Sequence, residues 1–364
     1  MPPSQGKLPS ALSIYLDLVR VGAAAVVVLH HTWMTLFPAF PLPWPGHQAV
    51  VVFFVLSGLL IAQSARRPGL TLREYVMHRA ARVLSVAVPA MLLSAAAAIV
   101  VGGHSLYAAP APADATDGVW RIAANLLFVG QCWWLDVDPP YNSPWWSLNF
   151  EVWYYAAFAA WVFLTGPGRI VVSGIILLAA GPKIVLLLPI WLMGAALNRW
   201  LPVWRERPAA LVFAATALLA LILIHLDASA SIRRAMEARW PAAMTGLGGA
   251  NQFAGDWLLG VVVTLHFAAA ANLRTLARLI QAAARVIRAV SNCTFSAYLY
   301  HMPLLAIAVL ALGLQRWVAL AFVAAGIVAL ASVTEGQLAR VHRWMGAVLQ
   351  RRRHSDPELP FMRQ

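Results

Sequence analysis

The chain has 364 residues, 61% of them hydrophobic and 11% charged, where a soluble domain carries about 45–50% apolar and about 25% charged residues. That excludes a water-soluble globule and, with spans of about 20 residues each, leaves no room for a large extramembrane domain. The net charge of +13 brings nucleic acid to mind, so the placement of the arginines has to decide.

Apolar runs long enough to cross a bilayer, or nearly so, fall at 11–36, 47–65, 82–102, 147–165, 169–181, 183–199, 208–226, 252–272, 290–313 and 316–339. The first carries Asp17, Arg20, His30 and His31. An ionisable group inside a span costs about 2.5–3.5 kcal/mol on insertion scales, so each needs a partner or a task. Arg20 and His31 are eleven residues apart, three turns plus about 20°, so they share a face about 16 Å apart, while His30 points about 80° away. Asp17 and Arg20 are set for an i,i+3 ion pair. No small-residue cleavage site follows, and the run is read as a retained helix.

The second run holds Ser57-Gly58, small residues that admit a neighbouring helix. Beyond it come Arg66, Arg67, Arg73, Arg79 and Arg82. A cytoplasmic loop explains such a stretch by itself, yet Arg79 and Arg82, i,i+3 before the third span, are also spaced to grip a phosphorylated ligand. The segment 103–146 carries Asp114, Asp117, Asp136 and Asp138 against one arginine, and its start, AAPAPADATDG, reads as a flexible connector. From it a Pro-initiated helix is predicted to start at the outer surface within YNSPWWSLNFEVWYY, residues 141–155. Trp146, Trp153 and Tyr155 fit an interfacial aromatic belt. Glu151, entering lipid among aromatic rings, calls for a function.

The fifth and sixth runs are short and meet at Gly181-Pro182-Lys183, so one kinked span with a re-entrant piece competes with two spans. The ninth, SNCTFSAYLYHMPLL at 291–305, sets Tyr298, Tyr300 and His301 in its inner half. Cys132 and Cys293 stand in no metal-ligand or Cys-x-x-Cys spacing, so neither a metal site nor a redox pair is predicted.

With the N-terminus inside, twenty Lys and Arg fall in inner segments, six in outer segments, and Arg20 lies within the first helix. The positive-inside rule therefore places both termini in the cytoplasm. Topology and anionic lipid then account for the basic charge, and nucleic acid is dropped as a partner. No repeat of 20–50 residues and no matched pair of interrupted spans appears, which disfavours a two-halved transporter. The expected fold is all-α, a polytopic membrane protein with about ten transmembrane helices, N-in and C-in. A membrane domain over 1–340 is followed by a basic cytoplasmic tail over 341–364.

In this order the blocks resemble the acyltransferase 3 family of integral membrane acyltransferases, which includes O-acetyltransferases of bacterial surface polysaccharides. LDLVRVGAAAVVVLHH matches the family's opening through Asp17, Arg20 and His31, and FFVLSGLLI at 53–61 matches its second helix. REYVMHRAARVL matches its arginine-rich stretch, WSLNFE at 146–151 its Trp-Ser-Leu segment, and FSAYLYHMP at 295–303 its Tyr and His-x-Pro segment. The resemblance runs nearly the full length. It departs at Val152, where a second acidic residue is frequent, and at Glu335, which lacks the proline that commonly follows.

The resemblance implies a multi-pass protein of the cell inner membrane that moves an acyl group, usually acetyl, from acyl-CoA to a hydroxyl of a surface or lipid-linked glycan. Acetyl-CoA is then a co-substrate and no cofactor is held permanently. The partners are membrane lipid, acyl-CoA and the glycan acceptor. Catalysis is assigned to His31, as general base or transient acyl carrier, with Glu151 orienting or protonating it. Donor and substrate binding is assigned to Asp17, Arg20, Ser57, Arg79, Arg82, Trp146, Ser147, Tyr298 and His301. No Gly-x-Ser-x-Gly elbow is present, which argues against a serine nucleophile. The alternative is a transporter or flippase for an acyl- or glycan-bearing substrate, where intramembrane Arg, His and Glu are equally expected.

Overall fold

A computed structural model describes residues 10–40 and 45–335. In chain order the helices are α1 (Ser10–Leu36), α2 (Gly46–Ala65), α3 (Leu72–Val101), α4 (Ala115–Leu126), α5 (Trp145–Phe163), α6 (Gly166–Ala180), α7 (Pro182–Arg199), α8 (Glu206–His225), α9 (Ala228–Arg239), α10 (Pro241–Met244), α11 (Phe253–Ala270), α12 (Arg274–Gln281), α13 (Ala284–Ser291), α14 (Thr294–Ala306) and α15 (Arg316–Thr334). A π turn, Ile307–Ala311, prolongs α14. Among the described residues there is no β-strand. The tail expected over 341–364 lies outside the described residues, as do Lys7 and the arginines from Arg340 onward.

Among the described residues each of the ten apolar runs contributes a helix, and seven of these are long and apolar enough to cross a bilayer: α1, α2, α3, α8, α11, α14 with its π turn, and α15. The other three differ for local reasons. α6 has only 15 residues, α5 opens on polar Ser147, Asn149 and Glu151, and α7 carries Lys183, Pro189, Asn198 and Arg199. On α8, Leu211 is 73%, Leu218 60% and Leu221 64% exposed. Lipid covers such a surface without cost, and water does not. The protein is an all-α polytopic membrane protein.

Two local devices position the central helices. The α3 start is fixed by a capping box in which Glu74 N–H donates to Thr71 Oγ1 at 3.2 Å and Thr71 N–H donates to Glu74 Oε2 at 2.9 Å. It adds about 1 kcal/mol and starts the helix ten residues before the apolar run, which puts Arg79 and Arg82 on it. The α2–α7 crossing is closed by glycines on both sides. A Cβ on Gly58 would fall on the Trp191 carbonyl, and one on Gly194 would fall on that of Val55. Only residues without side chains let two backbones approach this closely.

Two expectations for the segment 103–146 are corrected. Its start is not merely a flexible connector, because Asp114 accepts from Asp117 N–H at 2.8 Å and caps α4. Asn125, fully buried, donates to Arg121 O and Val137 O and accepts from Asn149. Trp133 N–H donates to Ala180 O at 3.1 Å, over Gly181. At φ +88° and ψ 176°, Gly181 holds a conformation that a side chain excludes. Lys183, fully buried, donates to Gln131 Oε1 at 3.1 Å and to the Leu135 carbonyl.

Second, α5 does not begin at a surface. Tyr141, Asn142 and Trp145 are fully buried, Asn142 Nδ2 donates to Leu299 O at 3.0 Å and Ser94 Oγ at 3.2 Å, and Tyr298 OH donates to Pro144 O at 2.9 Å. The chain enters the bundle and starts α5 beside α14. Non-helical backbone at this depth is tolerated because protein supplies its hydrogen bonds. The three residues read as an aromatic belt have partners within the protein: Trp146 stacks on His47, Trp153 Nε1 donates to Phe128 O at 2.9 Å, and Tyr155 OH donates to Glu151.

Candidate active site

At one end of the bundle three arginines converge from α1 and α3. Arg20 lies 3.4 Å from Asp17, and Ser291 of α13 bridges them, accepting from Arg20 at 3.2 Å and donating to Asp17 at 3.1 Å. Arg82 lies 3.5 Å from Glu335 Oε2, whose Oε1 accepts from Ser296 N–H at 3.0 Å and Oγ at 2.8 Å. Arg79 makes no ion pair among the described residues, and its Nε is buried without an acceptor.

Arg20, Arg79 and Arg82 line two adjoining cavities at once. The first, about 390 Å³, is polar and adds Ser64, Arg67, His78 and Asn292, with no carboxylate among its described lining. Four guanidinium groups in such a wall make a receptor for phosphate oxygens. The second, about 180 Å³, is largely apolar, walled by Phe53, Leu60, Ile61, Val83 and Phe295, and beside the arginines its polar groups are Ser57, Ser147, Glu151, Tyr155, Thr294 and Tyr298. Tyr155 OH donates to Glu151 Oε2 at 3.0 Å and lies 3.2 Å from Ser57 Oγ, which accepts from Trp191 Nε1 at 3.2 Å. Ser147 Oγ and Tyr298 OH are 2.7 Å apart.

His31 and His301 meet one turn further along α14 from Tyr298. A carbonyl can only accept, so the 2.9 Å contact from His301 Nδ1 to Ala297 O puts a proton on that Nδ1. The neutral ring then accepts at Nε2. His31 Nδ1 lies 3.0 Å from this acceptor and 3.1 Å from Val27 O, so it too carries its proton, shared between them. The consequence is one defined tautomer, with the His31 Nε2 lone pair left for chemistry. His30 is turned aside, its ring edge-on to His31 at 5.0 Å and to Tyr107 at 6.0 Å.

The sequence-derived residues thus separate into groups. Arg20, Ser57, Arg79, Arg82, Ser147, Glu151 and Tyr298 line the apolar cavity, and Asp17 holds Arg20. His31 and His301 form a pair that lines neither cavity, and no hydrogen bond joins His31 to Glu151. Glu151 is therefore not the partner of His31, since the geometry gives that place to His301. Trp146 also stands outside both cavities, stacked on His47 with ring centroids 5.9 Å apart and planes at 11°. Sequence reasoning missed Tyr155 as the partner of Glu151, although i,i+4 spacing on one helix signals it. It named Glu335 only as a departure from the family pattern and not as the partner of Arg82, which the structure makes it.

No curated protein and no solved structure matches the chain. The model of the acyltransferase 3 family, described as an acyltransferase domain, matches residues 13–335, which takes in both cavities and the histidine pair. The chain therefore belongs to the acyltransferase 3 family and is a multi-pass membrane acyltransferase.

Proposed function

We propose that the protein is an O-acyltransferase of the cell inner membrane that takes an acyl group, in the simplest case acetyl, from acyl-CoA and delivers it to a hydroxyl of a surface or lipid-linked glycan. The arginine end then faces the cytoplasm, with both termini on that side. One observation carries the reading: a vestibule of Arg20, Arg67, Arg79 and Arg82, with no carboxylate among its described lining, adjoins an apolar cavity. Acyl-CoA has that same order of parts, phosphates at one end and an acyl thioester on an uncharged arm at the other.

His31 Nε2 takes the proton of the acceptor hydroxyl as its oxygen attacks the thioester carbonyl. The C–O bond forms, the C–S bond breaks, and the departing thiolate recovers the proton from His31. His301 positions His31 by accepting from its Nδ1–H. Asp17 positions Arg20, while Ser57, Glu151, Ser147 and Tyr298 supply polar contacts in the apolar cavity. The test uses purified protein in lipid nanodiscs with acyl-labelled acetyl-CoA and a surface-glycan extract. Covalent label on glycan is the expected result. Label bound or moved across a vesicle membrane with no acylated product would overturn the reading in favour of a carrier.

A further inference from the structure

At the end of the bundle away from the arginines, α2 opens with Gly46 and His47. His47 Nε2 lies 2.8 Å from Asp256 Oδ2 on α11, with the Asp256 side chain 0% and the His47 side chain 20% exposed. The carboxylate accepts, so Nε2 carries the proton. Among the described residues Asp256 is its hydrogen-bond partner. Two acceptors lack donors, Asp256 Oδ1 and Oε1 of Gln252, the residue that precedes α11, both buried. Trp146 backs the imidazole and is itself packed on the backbone of Gly249, so the ring is held in one plane.

None of these residues lines the arginine cavities. Asp256 Oδ1 and Gln252 Oε1 are acceptors without donors, and such atoms select a ligand that brings O–H groups and disfavour phosphate or carboxylate. Their place is near the histidine pair. Gly46 backs onto His30 so closely that a Cβ there would come within 2.8 Å of its ring, and His30 is edge-on to His31. We infer that His47, held by Asp256 and backed by Trp146, is a hydroxyl-recognition subsite for a polyhydroxylated acceptor that enters opposite the arginine vestibule. Naming the ligand as the acyl acceptor rests on the function proposed above. The preference for hydroxyl donors does not.

Diethyl pyrocarbonate modifies accessible neutral imidazoles, so peptide mass mapping of the wild-type protein in nanodiscs reads His47 directly. A surface-glycan extract should slow modification of His47 at least about threefold, and the same extract after periodate cleavage of its diols, or inorganic phosphate, should not. No protection by intact extract, or equal protection by phosphate, overturns the subsite. In acyl transfer, His47→Gln and Asp256→Asn should each raise the half-saturating glycan concentration about tenfold, the scale of one hydrogen bond, with half-saturation by acetyl-CoA unchanged. A rise for acetyl-CoA instead would also overturn it. If wild-type protein transfers no label, the proposed reaction fails while the footprint still decides the subsite.

Discussion

Replacing His301 by alanine isolates the orienting role of the histidine pair. His31 Nδ1–H has two acceptors, Val27 O at 3.1 Å and His301 Nε2 at 3.0 Å, so the substitution removes one and leaves the proton held by a carbonyl alone. One buried hydrogen bond contributes about 1–2 kcal/mol, which converts to a fall of about 5–30-fold in kcat. His301 lines neither arginine cavity, so half-saturation by acetyl-CoA should stay where it is. His301→Gln offers a carbonyl oxygen near the vacated Nε2 and should recover most of the rate. The assay is steady-state acyl transfer in nanodiscs against acetyl-CoA concentration, with thermal melting to verify folding. An alanine variant with normal kcat and weakened donor saturation, or a glutamine variant no faster than alanine, would refute the orienting role.

Arg79→Gln should raise half-saturation by acetyl-CoA about tenfold with little change in kcat, because a phosphate contact lasts through the reaction. An unchanged value would remove Arg79 from the donor site. Arg82→Gln should in addition lower the melting temperature, since Glu335, nearly buried, loses its cation. Gly58→Ala drives a methyl group into the Trp191 carbonyl and should destabilise by about 1–3 kcal/mol, and an unaltered melting temperature would contradict that crossing. In the segment 103–146, burial and then neighbouring Asp136 hold the Asp138 carboxyl well above its ordinary 3.8, against Gln131, Lys183 and Arg121. The folded protein keeps a proton that the unfolded chain releases, so stability falls as pH rises from 3.8 toward the raised folded value. Asp138→Asn should therefore raise the melting temperature at neutral pH and leave it unchanged below about pH 3, as paired melts would show.

The helices were legible because lipid demands long apolar runs, and the Asp17–Arg20 pair because i,i+3 spacing is local. The α3 start was legible too, in Thr71 and Glu74, but an apolar window begins at 82 and passes over a polar first turn. What stayed hidden depends on contacts distant in the chain. Helical arithmetic puts His31 on the face of Arg20, yet it cannot tell which helix packs there, and His301 is 270 residues away. Asn142 reads as a surface residue because a sequence does not distinguish water from the Leu299 carbonyl as a partner. For Glu151 the burden of charge in a span was visible, but proximity to His31 was assumed, and the nearer hydroxyl of Tyr155 takes the carboxylate.

The arginine end also separates what the fold needs from what it does not. Arg20 has Asp17 and Ser291, and Arg82 has Glu335, itself held by Ser296, so each of these charges ties helices together and has a structural use. Arg79 has neither carboxylate nor hydroxyl among the described residues, and a buried N–H without an acceptor costs about 1–3 kcal/mol, more for a charged group. Packing alone would favour an uncharged side chain at that position. On the proposed function, a guanidinium kept there at a cost to stability, in the wall shared by the vestibule and the apolar cavity, is explained by the anion it would meet when the donor binds.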